Sequence, residues 1–175
     1  MNADPDMSSE RLTNLYRHIY QTAMRGVPIC NDALAVEAIG FRRFGDHIIG
    51  VVVTPWFANL VAVAPDDAGN PRCFPDSVRL RLRFPAGDVD FSVSELEGFG
   101  PLAACSLFSP MSEFADHAAA RAVAQAALDA LFDPHLHEAP KERPSRRERL
   151  DRRALLGGRR RTEPQELERH EKAAP

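Results

Sequence analysis

The chain has 175 residues, of which 44% are hydrophobic and 27% charged, and its formal net charge is -3. This length suits one ordinary globular domain with an additional tail and is too short for two full domains. The longest uncharged stretch in the apolar middle of the sequence, residues 47–64, is interrupted by a Thr-Pro pair. A membrane-spanning helix needs about 20 apolar residues, so the sequence predicts none. The N-terminus lacks a basic region followed by an apolar stretch, and we expect a cytoplasmic protein without a cleavable leader.

Charge is divided unevenly along the chain. Residues 1–140 contain 10 lysines and arginines against 18 acidic residues, a balance of -8, whereas residues 141–175 contain 12 against 7, a balance of +5. The composition therefore predicts an acidic folded body followed by a basic, arginine-rich tail. The tail has no aromatic residue to stack on a base and the body repels phosphate, so nucleic acid is not an expected partner.

The three cysteines, Cys30, Cys73 and Cys105, form no C-x-x-C pair. This usage excludes a disulfide framework, a zinc ribbon and an iron-sulfur site built by this chain alone. We expect reduced thiols, no metal site and no cofactor. Hydrolase, phosphate-binding, metalloprotease and dinucleotide-binding motifs are also missing, so the sequence does not predict an enzyme.

The first predicted element is an amphipathic helix. Apolar side chains recur at positions 12, 15, 16, 19, 20 and 23, which is the spacing of one helix face. Ser8 or Ser9 is the predicted N-cap, and Gly26 and Pro28 are expected to end the helix.

Two hairpins are predicted after this helix. Residues 34–44 and 47–53 flank a Gly-Asp pair suited to a type II′ turn, and in that register Phe41 covers Gly50. Residues 48–53 are apolar throughout, which indicates a central strand covered on both faces. Farther along, residues 77–84 alternate between apolar residues and arginine, and a turn at 85–88 is expected to return the chain antiparallel to them. This register would pair Phe84 with Val89 and Arg83 with Asp90.

The last predicted elements are a short strand at 102–108 and an alanine-rich helix. Ser109 and Pro110 are the expected N-cap and first residue of this helix, which extends to Phe132 with an inner stripe at 114, 118, 122, 126, 128 and 131. The predicted fold is α+β, a mainly antiparallel sheet of five or six strands flanked by the N-terminal helix and the long alanine-rich helix. The expected domain is 1–134, followed by a disordered basic tail at 135–175.

The stretch 54–60, which reads TPWFANL, is the strongest candidate for a binding surface. The only tryptophan of the chain and a phenylalanine lie together in a proline-led break between two strands. Exposed aromatic residues on such a turn are typical of a partner-binding site, and a core tryptophan that covers a loop is the alternative. The predicted partner-binding residues, which include two at the junction between sheet and helix, are Pro55, Trp56, Phe57, Asn59, Phe108 and Met111.

Four ordered segments resemble the HybE/HupJ family of nickel-iron hydrogenase assembly chaperones. They are GFRR at 40–43, VVVTPWFANL at 51–60, GFGP at 98–101, and CSLFSPM at 105–111 followed by EFAD at 113–116. The resemblance covers residues from about 10 to 134. It implies a non-enzymatic cytoplasmic accessory protein, without a cofactor, that binds an immature hydrogenase subunit among other maturation proteins before export, as in twin-arginine proofreading. The small-subunit precursor is the favoured client and the large subunit is the alternative.

The tail contains two segments that approximate the S-R-R-x-F-L-K pattern of twin-arginine signals, SRRERL at 145–150 and RRALL at 152–156. No apolar region follows them, so they are not a working leader. They are either chance matches in an arginine-rich tail or an imitation of the client's signal; their arginine pairs are Arg146, Arg147, Arg152 and Arg153.

Two other function classes remain open from the sequence. An iron-sulfur or redox accessory protein would use Cys105 or Cys30 to protect or mature the clusters of the small subunit. A nucleic-acid-binding module would use the tail, and its binding would fall steeply with salt.

Overall fold

The computed structural model describes residues 4–64, 74 and 78–136. Two α-helices and six strands make up most of this part of the chain: α1 (Pro5–Ile19, continued by a π-helical turn at Tyr20–Met24), β1 (Glu37–Phe44), β2 (His47–Val53), β3 (Ala58–Val63), β4 (Arg79–Phe84), β5 (Gly87–Leu96), β6 (Gly100–Phe108) and α2 (His117–Leu131), with a short 3-10 turn at Pro134–Leu136. The strands form one sheet in the order β1-β2-β3-β6-β5-β4, and all neighbours are antiparallel. The predicted α+β fold is confirmed, with six strands.

The helices cover opposite faces of the sheet. Leu12 and Tyr16 of α1 belong to one buried cluster with Val52, whereas Leu128 of α2 belongs to a second cluster with Val51. Successive residues of β2 therefore point into different cores, and residues 48–53 are all buried. The prediction of a central strand covered on both faces is confirmed. Among the described residues, no helix has the length and apolar character required to cross a membrane.

The sheet is curved so strongly that its two edge strands approach each other. Phe44 at the end of β1 stacks on Phe84 at the end of β4, with ring centroids 4.6 Å apart. Phe132, just after α2, packs edge-on against both rings, at 5.3 and 5.5 Å. The concave face therefore wraps around the end of α2, and one core joins both edges of the sheet.

The first hairpin has the predicted register. Gly45 has a φ of +56°, and among the described residues only glycines have a positive φ, so Asp46 has a negative one, as the second position of a type II′ turn requires. Phe44 pairs with His47, and a β-bulge lies between Ile39 and Arg42. The ring of Phe41 lies so close over Gly50 that an added Cβ would overlap it.

The second hairpin differs from the prediction by two positions. Phe84 pairs with Gly87, so the loop has two residues rather than four. Gly87 has a φ of +139°, a conformation that glycine adopts without strain, and β5 therefore starts directly after the loop. Because side chains alternate with a period of two, this shift leaves the apolar residues on the predicted face. It changes the charge pairing, since Arg81 instead of Arg83 contacts Asp90, at 2.6 Å.

Both helices begin at different residues from those predicted. The N-cap of α1 is Asp4, whose carboxylate accepts from the N–H of Asp6 at 3.1 Å, and Pro5 is the first helical residue. The helix α2 begins seven residues later than predicted, at His117 rather than Pro110, because Asp116 caps it by accepting from the N–H of Ala119 at 2.7 Å. The buried stripe of α2 is consequently 120, 124 and 128, whereas positions 118, 122 and 126 are exposed. Alanine fills most of this helix, so composition does not distinguish its faces.

Candidate partner-binding site

Three connecting segments meet at one end of the sheet. They are residues 25–36 before β1, residues 54–57 between β2 and β3, and residues 109–116 between β6 and α2. The antiparallel register sets this position, because Glu37 pairs with Val53 and the next strands meet where Ala58 pairs with Phe108. All side chains predicted to bind a partner in the body lie in or next to these segments.

The turn at 54–57 is held by the hydroxyl group of Thr54. This oxygen accepts from the N–H of Phe57 at 2.9 Å and of Trp56 at 3.2 Å, and it donates to the carbonyl of Phe57 at 2.9 Å. The N–H of Thr54 donates to the same carbonyl at 2.8 Å. Thr54 is completely buried, and its four hydrogen bonds, three through the hydroxyl and one through the backbone N–H, fix the direction in which Trp56 and Phe57 leave the sheet.

Asn31 joins the three segments to one another. Its backbone N–H donates to the carbonyl of Pro55 at 2.8 Å. Its side-chain amide donates to the carbonyls of Met111 at 3.0 Å and Phe114 at 2.8 Å. The sequence gives no signal for this role of Asn31, because its side-chain partners are 80 and 83 positions away along the chain.

Four rings from α1, its π-helical turn and the 54–57 turn form what we term the aromatic cluster: Tyr16, Tyr20, Trp56 and Phe57. Tyr20 stacks on Trp56 with an interplanar angle of 15° and centroids 6.2 Å apart. Phe57 packs edge-on against Tyr16 at 5.4 Å and against Trp56 at 5.5 Å. Tyr16 is buried, whereas the other three rings remain partly exposed. Trp56 is therefore packed on one side and accessible on another.

A carboxylate lies at the rim of this cluster. The hydroxyl of Tyr20 donates to Oδ1 of Asp32 at 3.0 Å. This hydrogen bond, followed by burial and by the negative charge of Asp32, raises the pKa of Tyr20. Asp32 is exposed, so one anionic group is held against the ring stack and faces solvent.

The remaining predicted residues differ in accessibility. Pro55 is buried beneath the turn. Phe108 is 36% exposed and packs edge-on against Phe114 at 5.3 Å. Met111 is completely buried in the core beneath α2. Asn59 is half-buried, and its Oδ1 has no hydrogen-bond partner within the described part of the chain. The tail arginines Arg146, Arg147, Arg152 and Arg153 lie outside the described residues.

His117 attaches the first turn of α2 to β1. Its Nδ1 accepts from the N–H of Ala35 at 3.2 Å, which leaves the proton of the neutral ring on Nε2. Nε2 lies 2.8 Å from the carboxylate of Glu37 and donates to it, and Arg121 lies 3.5 Å from the other oxygen. Both ring nitrogens of His117 therefore make hydrogen bonds that hold α2 against β1, which is a structural role rather than a role in proton transfer.

The two described cysteines, Cys30 and Cys105, have thiols of raised pKa. Burial is the main cause of the raised pKa of Cys30 and of Cys105, so both thiols hold their protons more tightly than a free cysteine. Within residues 4–64, 74 and 78–136, no three histidine, cysteine or acidic side chains are grouped as metal ligands. Cys73 lies outside the described residues.

Comparison with known proteins places this architecture in a family. Residues 7–158 match the family model described as NiFe-hydrogenase assembly, chaperone, HybE. The chain is 46% identical over 162 residues to the hydrogenase expression/formation protein HupJ of Bradyrhizobium diazoefficiens, covering 90% of this chain and 91% of that protein. It is 38% identical over 152 residues to the hydrogenase expression/formation protein HupT of Azotobacter chroococcum, covering 86% and 99%.

The fold agrees with a solved structure. The solution structure of HybE from Escherichia coli superposes with a TM-score of 0.57 at 24% sequence identity, over 89% of this chain and 91% of that one. The family match, the full-length relatives and the shared fold agree with one another. The chain belongs to the HybE family of nickel-iron hydrogenase assembly chaperones.

Proposed function

We propose that the chain is a non-enzymatic chaperone that binds the precursor of a nickel-iron hydrogenase small subunit in the cytoplasm, before export, through the aromatic cluster. Family membership supports a role in hydrogenase assembly. The observation that carries the choice of surface is Trp56, which is partly exposed and yet held by the fully buried Thr54. A role in the core alone does not explain why this ring is partly exposed, whereas contact with a partner does.

This surface has the properties of a binding hot spot. Tryptophan and tyrosine contribute disproportionately to protein interfaces, because they bury a large area with few rotatable bonds. The Thr54 and Asn31 hydrogen bonds fix the turn before binding, which lowers the entropy lost when a partner docks. Ile29 and Phe108, which are 45% and 36% exposed, lie in or beside the same connecting segments and add apolar surface there.

The charge of the body favours a basic client segment. The balance of -8 over residues 1–140 has the opposite sign to an arginine-bearing signal segment. Charge of this kind accelerates encounter and selects the partner more than it adds affinity. A twin-arginine signal on the small-subunit precursor meets this requirement, whereas the large subunit would have to be recognised by its folded body.

The test is a binding titration with the full chain. Its ligands are the small-subunit precursor with its signal segment, the same precursor without that segment, and the large-subunit precursor. The variant Trp56→Ala/Phe108→Ala removes two exposed rings. Two interface aromatics contribute about 2 kcal/mol together, so we expect at least a roughly thirtyfold loss of affinity for the small-subunit precursor.

A matched control removes exposed apolar side chains elsewhere. Val123→Ala/Leu136→Ala changes residues that are 38% and 52% exposed outside the site. This control is expected to bind within about twofold of the unaltered chain. Equal binding by a folded Trp56→Ala/Phe108→Ala variant would exclude the aromatic cluster as the contact surface. Binding of the large-subunit precursor alone would show that the client assignment is wrong.

A further inference from the structure

We propose that Tyr20, Asp32 and Trp56 form a subsite for one arginine side chain of the client, an inference that rests on the proposed function. The group recognised at the aromatic cluster is a planar guanidinium, placed against the ring stack of Tyr20 and Trp56 and paired with the carboxylate of Asp32. Two of its three residues were not among those predicted from the sequence.

The geometry brings together the two groups that bind guanidinium. The rings of Tyr20 and Trp56 are nearly parallel, at 15°, and both are partly exposed. The Tyr20 hydroxyl holds Oδ1 of Asp32 at 3.0 Å, so the carboxylate lies at the edge of the stack. No described residue forms an ion pair with Asp32, although Glu37, Asp88 and Asp90 each have a cationic partner.

The backbone supports this arrangement independently. The α-helix α1 changes to a π-helix at Tyr20, and this turn continues to Met24. π-helical turns are rare, and they are found frequently at functional sites. Here the change begins at the residue that carries both the ring stack and the hydrogen bond to Asp32.

The same geometry favours arginine over lysine. A guanidinium group is planar, stacks on aromatic rings and offers parallel N–H donors to a carboxylate. An ammonium group is a compact, strongly hydrated charge that cannot make the flat contact. The positive charge of Arg25 lowers the pKa of Tyr20, against the larger effects that raise it, so Arg25 is close enough to oppose a second cation. Removal of its charge is therefore expected to strengthen binding.

Trp56 provides the readout, because it is the only tryptophan of the chain. The probe is the peptide SRRAFLQ, with two further forms in which both arginines are replaced by lysine or by uncharged citrulline. Titration of the full chain is followed by tryptophan fluorescence and by calorimetry. We expect the arginine form to bind about tenfold more tightly than either substituted form, since hydrogen bonds to charged groups and cation-π contacts each contribute on this scale.

Asp32→Asn tests the carboxylate without removing the oxygen that accepts from Tyr20. It is expected to weaken binding of the arginine peptide about tenfold and to abolish the preference over citrulline. Asp46→Asn is the matched control: it makes the same change of net charge in the hairpin turn at the other end of β2, a strand about 20 Å long. Arg25→Gln is expected to strengthen binding about twofold.

Two results would overturn the subsite. One is equal binding of the arginine and citrulline peptides, and the other is an equal effect of Asp32→Asn and Asp46→Asn. Titration with the small-subunit precursor separates this inference from the proposed function. If Asp32→Asn binds the precursor normally while Trp56→Ala/Phe108→Ala does not, the chaperone function stands and the arginine subsite is wrong. If the unaltered chain does not bind the precursor, the proposed function itself fails.

Discussion

Thr54→Val isolates the contribution of one hydroxyl group to the site. Valine has nearly the same shape as threonine, so the substitution leaves the packing intact and deletes the oxygen that accepts from the N–H groups of Trp56 and Phe57. The carbonyl of Phe57 keeps its bond from the N–H of Thr54 at 2.8 Å. Two donors are left without an acceptor, and each unsatisfied buried donor costs about 1–3 kcal/mol.

The lower part of that range applies, because Trp56 and Phe57 are partly exposed and water reaches one side of the turn. We therefore expect a loss of about 2 kcal/mol in the free energy of unfolding. For a domain of this size that corresponds to a decrease in Tm of about 4–8 °C. The measurement is urea unfolding monitored by far-ultraviolet circular dichroism and by fluorescence of Trp56.

Thr54→Ser is the matched control, because it keeps the hydroxyl and removes a buried methyl group. That loss costs about 1 kcal/mol. The expected order of stability is the unaltered chain, then Thr54→Ser, then Thr54→Val. A hydrophobic contribution alone gives the reverse order for the two variants, since valine is the more apolar residue. A valine variant as stable as the serine variant would refute the hydrogen-bonding role assigned to this side chain.

Three further predictions concern the framework around the site. Asp116→Ala is expected to lose about 1 kcal/mol of stability through its N-cap bond, whereas Ser109→Ala should change stability by less than about 0.5 kcal/mol; urea unfolding of both variants decides where α2 begins. Burial lowers the pKa of His47 in the folded protein, so its neutral form is favoured there. The contribution of His47 to the free energy of unfolding is therefore fully present above its unfolded pKa of about 6.5 and is lost as pH falls through its lower folded pKa. His47→Phe should reduce the difference in unfolding free energy between pH 7.5 and pH 5. Gly50→Ala should cost about 1–3 kcal/mol by displacing the ring of Phe41, and most of this cost should vanish in a Phe41→Ala background, as a double-mutant cycle would measure.

Local signals in the sequence were sufficient to predict the turn and the register of the first hairpin. Gly45 and Asp46 select the turn, the turn sets the register, and the register places Phe41 over Gly50. The second hairpin shows the limit of the same reasoning. Alternation of apolar residues identifies which face of β4 is buried, but a shift of two positions satisfies alternation equally well. The loop length, and with it the partner of Asp90, depended on a backbone conformation available to Gly87.

The site was predictable only in part, for a similar reason. The proline-led turn marked Trp56 because two large aromatic residues in succession do not fit a covered strand. The role of Asn31 depends on contacts with residues far away in the sequence, such as the carbonyl of Met111 80 positions away, and the role of Asp32 depends on Tyr20, 12 positions before it. A side chain that bonds to distant backbone groups carries no periodic signal. Met111 itself, predicted as a surface contact, has the apolar character that also suits its buried position.

The rigidity of the site follows from its connection to both cores. Tyr16 in the aromatic cluster packs in the core beneath α1, while Met111, whose carbonyl binds Asn31, packs in the core beneath α2. The turn that carries Trp56 lies between β2 and β3, and the residues of both strands enter both cores. A movement of this turn would therefore disturb packing on both faces of the sheet. The proposed binding surface is therefore ordered before any partner docks, and under the proposed function the ordering on binding falls on the client segment.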